Sequence, residues 1–287
     1  MSGNSGFVNY GGHVTMHQSA VGDNARVDVS AAPREDDVPG RADVGVITIL
    51  GNEARAAHEV LGLRPAGGAA LPFFEGDVTT GGTTRRVVAL RALSQGQRSA
   101  VVAFDHLRRH YRPAVVVLAG IGGGVHPGIE VGDVVVTTRV VYYDLRKETR
   151  SGRRRRGEER ESPAVMGHAV NSFFTAYGEP AVLPGGFRVL TGPIGSGDAV
   201  IADAESEIVR YLRAFNDKIL AVDMEAGGLT QAFHEQDGPG AVRGWVVVRG
   251  ISDDASAAKN DDHQDRAARN AALTLRHLLP YLPSTRP

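Results

Sequence analysis

The chain has 287 residues, 36 of them Gly and none Cys, with 42% apolar side chains and 32 basic against 33 acidic residues for a formal charge of −1. That length holds one large core or two modest ones; Gly stands well above its roughly 7% average without a repeat, which excludes collagen and solenoids, and zero Cys excludes disulfides, thiolate metal sites and a Cys nucleophile. Balanced charge argues against a dedicated nucleic-acid binder, and with no apolar run near the roughly 18 residues that span a bilayer and no signal-peptide pattern, the expectation is a cytoplasmic protein with neither membrane nor nucleic-acid partner.

Residues 1–43 are polar and Gly-rich, too thin in apolar area to offset their own ordering entropy, and read as an arm that is flexible or held by a protein partner. From Val44 the texture becomes apolar runs alternating with amphipathic stretches, the pattern of an α/β domain, here over 44–280, followed by a short tail over 281–287. Strands are predicted at Val44–Leu50, Val87–Leu93, Ala114–Ala119, Asp133–Tyr143, Phe187–Ile194, Lys218–Met224 and Trp245–Ile251. Their continuous rather than alternating apolar character fits strands covered on both faces. Helices are predicted at Arg98–His110, Ala164–Tyr177, Glu205–Phe215, Ala226–Glu235 and His263–Leu279, from apolar residues three and four apart. Pro280 stops the last one. Arg146–Glu161 is too charged to pack and reads as a solvated loop, its Arg153–Arg156 run being either surface charge or a phosphate-contacting lid.

The Gly cluster Gly120-Ile121-Gly122-Gly123-Gly124 follows a strand, but no GxGxxG can be drawn through it, and the chain has no P-loop, no GxSxG and no HExxH. No cofactor and no metal site is therefore expected. Carboxylates stand at or past the ends of three buried strands: Glu53, the pair Asp223 and Glu225, and Asp253. Open α/β sheets bind ligands at such ends, although a single carboxylate there is as often a helix N-cap.

With those carboxylates in view, GVITILGNE (45–53), LAGIGGGV with GDVVV (118–136), GPIGSGDAVI (192–201), AVDMEAGG (221–228) and VVRGISDDASAAKND (247–261) resemble, in order and spacing, the purine nucleoside phosphorylase and nucleosidase superfamily. The stretch after Ile251 looks most like nucleosidase-type effector domains of immune and bacterial conflict systems. The resemblance implies a three-layer α/β sandwich around a central mixed, mostly parallel sheet, and a homo-oligomer. It also implies cleavage of the N-ribosidic bond of a purine nucleoside or nucleotide through an oxocarbenium-like sugar.

By that resemblance Glu53 activates water, Asp253 protonates the purine from a raised pKa and Glu225 accepts ribose hydroxyls. Met224 packs beneath the sugar, and Ile121, Gly122, Val200, Asp223 and Ser252 line the substrate. Tyr143 or its neighbour Tyr142 would stack on the base where Val200 replaces the usual ring, and Arg146 and Lys147 would reach 5′ phosphates of a substrate such as ATP. Glu53 stands where phosphorylases of this superfamily carry a phosphate loop, and a carboxylate repels phosphate, so hydrolysis is favoured. Arg91 or Arg249 as a phosphate ligand keeps phosphorolysis open, and a pocket without chemistry, a sensor, is the third reading.

Overall fold

In the computed structural model, residues 41–68, 71–150, 152–238, 240–254 and 263–285 are described. The expected arm over 1–43 lies outside them except for its last three residues, and so do 255–261 of the ISDDASAAKND stretch. Among the described residues the elements are β1 (Val44–Thr48), α1 (Gly51–Leu61), β2 (Arg64–Pro65), β3 (Phe74–Thr80), β4 (Thr83–Arg91), α2 (Gln97–Tyr111), β5 (Val115–Gly124), β6 (Val134–Thr137) and β7 (Arg139–Tyr142). There follow β8 (Arg146–Thr149), β9 (Gly152–Arg155), β10 (Glu158–Glu161), α3 (Ala164–Tyr177), β11 (Ala181–Leu183), β12 (Phe187–Thr191), β13 (Ile194–Ser196), α4 (Glu207–Phe215), β14 (Ala221–Asp223), α5 (Ala226–Glu235), β15 (Trp245–Asp253) and α6 (Gln264–Leu278).

The sheet is mixed, and its central strands β4, β1, β5 and β15 run parallel. Side chains alternate along each strand, which builds two cores. Val44, Val46, Val115 and Val117 pack with α3 and α6, while Ile47, Val116 and Leu118 pack with α2 and α5. This is the three-layer sandwich expected from the sequence.

Several expected elements differ. The Asp133–Tyr143 run breaks after Thr137, whose Oγ1 donates to the Arg139 carbonyl and accepts the Arg139 N–H at 2.9 Å; β6 then pairs with β12 and β15, and β7 with β10 and β13. The charged segment read as a loop forms the β8–β9 hairpin and β10. Helix α1 had no counterpart in the sequence reading, because its inward face is built largely from Ala54, Ala56 and Ala57. At the domain edges, Asp43 accepts hydrogen bonds from the Thr285 N–H and hydroxyl at 2.7 and 2.8 Å, so parts of the expected arm and tail belong to the domain.

Candidate active site

The site is a fork in the sheet. Along one edge β5 pairs with β1 as far as Leu118, and with β14 at Gly123 and Gly124. Between those partners the N–H of Ile121 has no strand to bond, and it donates to Glu53 Oε1 at 2.8 Å. Glu53 Oε2 accepts the N–H groups of Ile49 and Leu50 at 2.7 and 2.9 Å, so three backbone donors fix a buried carboxylate in the first turn of α1.

On the other prong, Asp223 ends β14 and accepts the Glu225 and Ala226 N–H groups. Asp223 thus steadies the start of α5, whose N-cap residue is Glu225, and this does not exclude a second role. Arg249, on the neighbouring part of β15, is 1% exposed. Its Nε and Nη2 donate to Asp223 Oδ2 at 2.9 and 2.6 Å, and Nη2 also reaches Glu225 Oε2 at 3.0 Å. A charge buried this deeply persists only when paired. Removal from water favours deprotonation of Arg249, and the fields of Asp223, Glu225 and Glu53 outweigh it and hold the guanidinium charged. For Glu225 burial is the largest influence and raises its pKa, against the pull of Arg249.

Gly120 shows why the Gly cluster is there. A Cβ on it would lie 2.4 Å from Glu53 Oε1 and 2.5 Å from Arg249 Nη1, so the missing side chain leaves room for the Glu53 carboxylate and the Arg249 guanidinium to approach the same point. Nη1 is buried and has no hydrogen-bond partner among the described residues. Gly122 likewise lets β14 close in, since its Cβ would stand 2.8 Å from the Val222 carbonyl oxygen. Gly120→Ala is expected to overpack this point, lowering stability by about 1–3 kcal/mol in a thermal melt and displacing the Glu53 carboxylate. An unchanged melting temperature would contradict the packing just described.

A cavity of about 250 Å³ opens in the fork. Of the residues singled out in the sequence, Glu53, Glu225, Asp253, Ile121, Gly122, Val200, Asp223, Met224 and Ser252 all line it. Ser252 Oγ donates to Asp253 Oδ2 at 3.0 Å. Tyr143, Arg146 and Lys147 do not line it. Tyr143 is fully buried with Val141 and Leu212 under α4, where burial drives its phenol pKa upward, so it cannot stack on a base. Tyr142 lines a separate hollow beside Gln97 and Gly227.

Arg146 and Lys147 sit on the exposed β8–β9 hairpin, Arg146 paired to Glu148 at 3.2 Å. Within the arginine run, Arg155 is pinned by Asp144 at 3.2 Å and Glu207 at 2.8 Å, which opposes the phosphate-lid alternative. Arg91 spends its Nε on the Ile49 carbonyl and lies outside the cavity. The reading from sequence missed Arg249 as a partner of the carboxylates; a lone arginine inside the apolar run WVVVRGI was the available signal.

Carboxylates gathered at the strand ends of a three-layer sheet define the class: an α/β protein with an acidic ligand cavity. The chain belongs to the Phosphorylase superfamily, whose family model matches residues 43–280. A 5'-methylthioadenosine/S-adenosylhomocysteine nucleosidase of Actinobacillus succinogenes is 32% identical over 180 residues, 63% of this chain and 71% of the relative. Its Bacillus licheniformis counterpart is 28% identical over 204 residues, 70% and 84% of the two chains. Among solved structures, the Neisseria meningitidis 5'-methylthioadenosine/S-adenosylhomocysteine nucleosidase in complex with methylthio-immucillin-A superposes with a TM-score of 0.62 at 24% identity, over 82% of this chain and 97% of that one. The futalosine hydrolase of Helicobacter pylori gives 0.65 at 17% identity, over 86% and 100%. These superpositions show a shared fold.

Proposed function

We propose that this chain hydrolyses the N-ribosidic bond of a purine nucleoside with an unphosphorylated 5′ group and releases the free base. The observation that carries the reading is the lining of one cavity by Glu53, Asp223, Glu225 and Asp253, with no Lys, Arg or His among the described lining residues. Phosphate as a nucleophile, or 5′ phosphates on the substrate, would meet that concentration of negative charge, which Arg249, already paired to Asp223 and Glu225, offsets only in part. Water and a neutral nucleoside meet no such barrier. The curated relatives are named for adenine nucleosides with 5′-thioether groups, which fits a neutral 5′ side.

In this reading Glu53 takes the proton of the attacking water, its two oxygens already aligned by the three backbone donors. Arg249 Nη1, the unspent donor beside Glu53 Oε1, orients that water. Glu225, ionised, accepts the ribose hydroxyls. Asp253 delivers a proton to the departing purine, which leaves neutral. As the glycosidic bond breaks, positive charge grows on the sugar within a ring of carboxylates, a preorganised stabilisation of the oxocarbenium-like transition state. Val102 and Leu145, 53% and 51% exposed, offer apolar area to a second copy and support the expected homo-oligomer.

The test is chromatographic detection of free base from adenosine, methylthioadenosine, AMP and ATP, with and without phosphate. Expected are adenine and a free sugar from the first two, unaffected by phosphate. Ribose 1-phosphate as the product, or a preference for ATP, would refute the reading.

A pH dependence follows from Glu225. Its pKa lies above the ordinary 4.5, and the ionised form is the hydroxyl acceptor, so activity is present at higher pH and lost as pH falls through the raised value. The acid limb of kcat/KM, which reports the free enzyme, should therefore lie above the ordinary glutamate range. An acid limb at or below 4.5 would remove Glu225 from this role.

A further inference from the structure

Glu225 is the N-cap residue of α5, yet its side chain makes no capping hydrogen bond. An N-cap side chain ordinarily accepts from the N–H two or three residues ahead, here Gly227 and Gly228. Both donors are satisfied by residues from elsewhere in the chain. The Gly227 N–H goes to Ser196 Oγ at 2.9 Å, and the Gly228 N–H to Gln97 Oε1 at 2.5 Å. Gln97 Nε2 in turn donates to Ser196 Oγ at 3.0 Å, joining the two acceptors, and the adjacent Gly96 N–H donates to Glu225 Oε1 at 3.0 Å. The approach is close enough that a Cβ on Gly228 would stand 2.1 Å from the Gln97 carbonyl oxygen. The paired glycines of AVDMEAGG thus admit the start of α2 against the start of α5.

From this geometry we infer that Gln97, assisted by Ser196, is a positioning residue: it caps α5 in place of Glu225 and so keeps the Glu225 carboxylate turned to the cavity for ribose. Unmet helix N–H groups are costly when buried. With Gln97 shortened or made apolar, the Gly228 N–H loses its acceptor, and the N-cap carboxylate, the ordinary partner of that donor, would turn back onto its own helix and away from the sugar. The inference rests on the reading of Glu225 as the ribose acceptor.

The experiment measures binding in full-length protein carrying Asp253→Asn to suppress turnover, with adenosine and 2′,3′-dideoxyadenosine as probes. With Gln97 present, adenosine should bind about 10- to 100-fold more tightly than the dideoxy compound, the scale of hydrogen bonds to a charged group. Gln97→Met should bring that ratio to within about threefold of one. Gln97→Glu, which retains an acceptor for Gly228, should preserve the preference. If Gln97→Met does not fold, as judged by circular dichroism, Ser196→Ala takes its place with the same expected direction.

A preference retained in Gln97→Met, or in Ser196→Ala where that variant stands in, overturns the inference, as does the absence of any preference with Gln97 present. Failure of the hydrolysis reading is seen separately, as no base release by the unmodified chain. The ratio is unaffected by a general loss of stability, which weakens both probes equally.

Discussion

Glu53→Gln is expected to reduce base release by about two to four orders of magnitude, the range for removing a general base, while nucleoside binding stays within a few fold. The local structure explains why an isosteric change does so much. Two oxygens of Glu53 receive N–H donors from Ile49, Leu50 and Ile121. Glutamine offers one oxygen, and its amide N–H2 must face at least one of those donors or Arg249 Nη1, with no acceptor between them. The variant therefore loses both the proton acceptor and the alignment of what remains. Single-turnover base release, measured beside equilibrium binding in an Asp253→Asn background, separates the two effects. A Glu53→Gln enzyme within tenfold of the unmodified rate would exclude Glu53 as the base and leave water without an activator.

Much of the fold and the acidic cluster is legible in the sequence because both depend on local, strongly patterned signals. Buried strands such as VVVLA and WVVV announce themselves by continuous β-branched residues, and a carboxylate at such a strand's end is conspicuous by contrast. What stayed hidden depends on partners distant in the chain. Helix α1 turns alanines inward, and small side chains leave little periodic signal. Tyr142 and Tyr143 look equivalent in sequence, yet where β7 ends they fall on opposite sides, Tyr142 beside Gly227 of α5 and Tyr143 in the core under α4. Arg155 sits in a run of four arginines, and only the fold brings it to Asp144 and Glu207. Gln97 carries no motif at all; its role exists because α2 and α5 start side by side.

Arg249→Met should lower stability by about 3–5 kcal/mol, the usual cost of removing one partner from a buried ion pair, and abolish detectable base release. For a domain of this size the loss corresponds to roughly 6–20 °C in melting temperature. The guanidinium is what allows Asp223 and Glu225 to be charged at 1% and 7% side-chain exposure. Without it two carboxylates face each other in a medium that solvates neither. Protonation relieves that strain, so the deficit should shrink as pH falls: Glu225, whose pKa burial already raises and Arg249 would no longer oppose, takes up a proton and loses its uncompensated charge. Adding Asp223→Asn should recover part of the melting temperature by removing one of those charges. It should not restore base release, because Arg249 Nη1 would still be missing beside Glu53. A single Arg249→Met variant that melts with the unmodified protein at neutral pH, or a double variant that regains activity, would show that the buried arginine holds neither the fork nor its carboxylates.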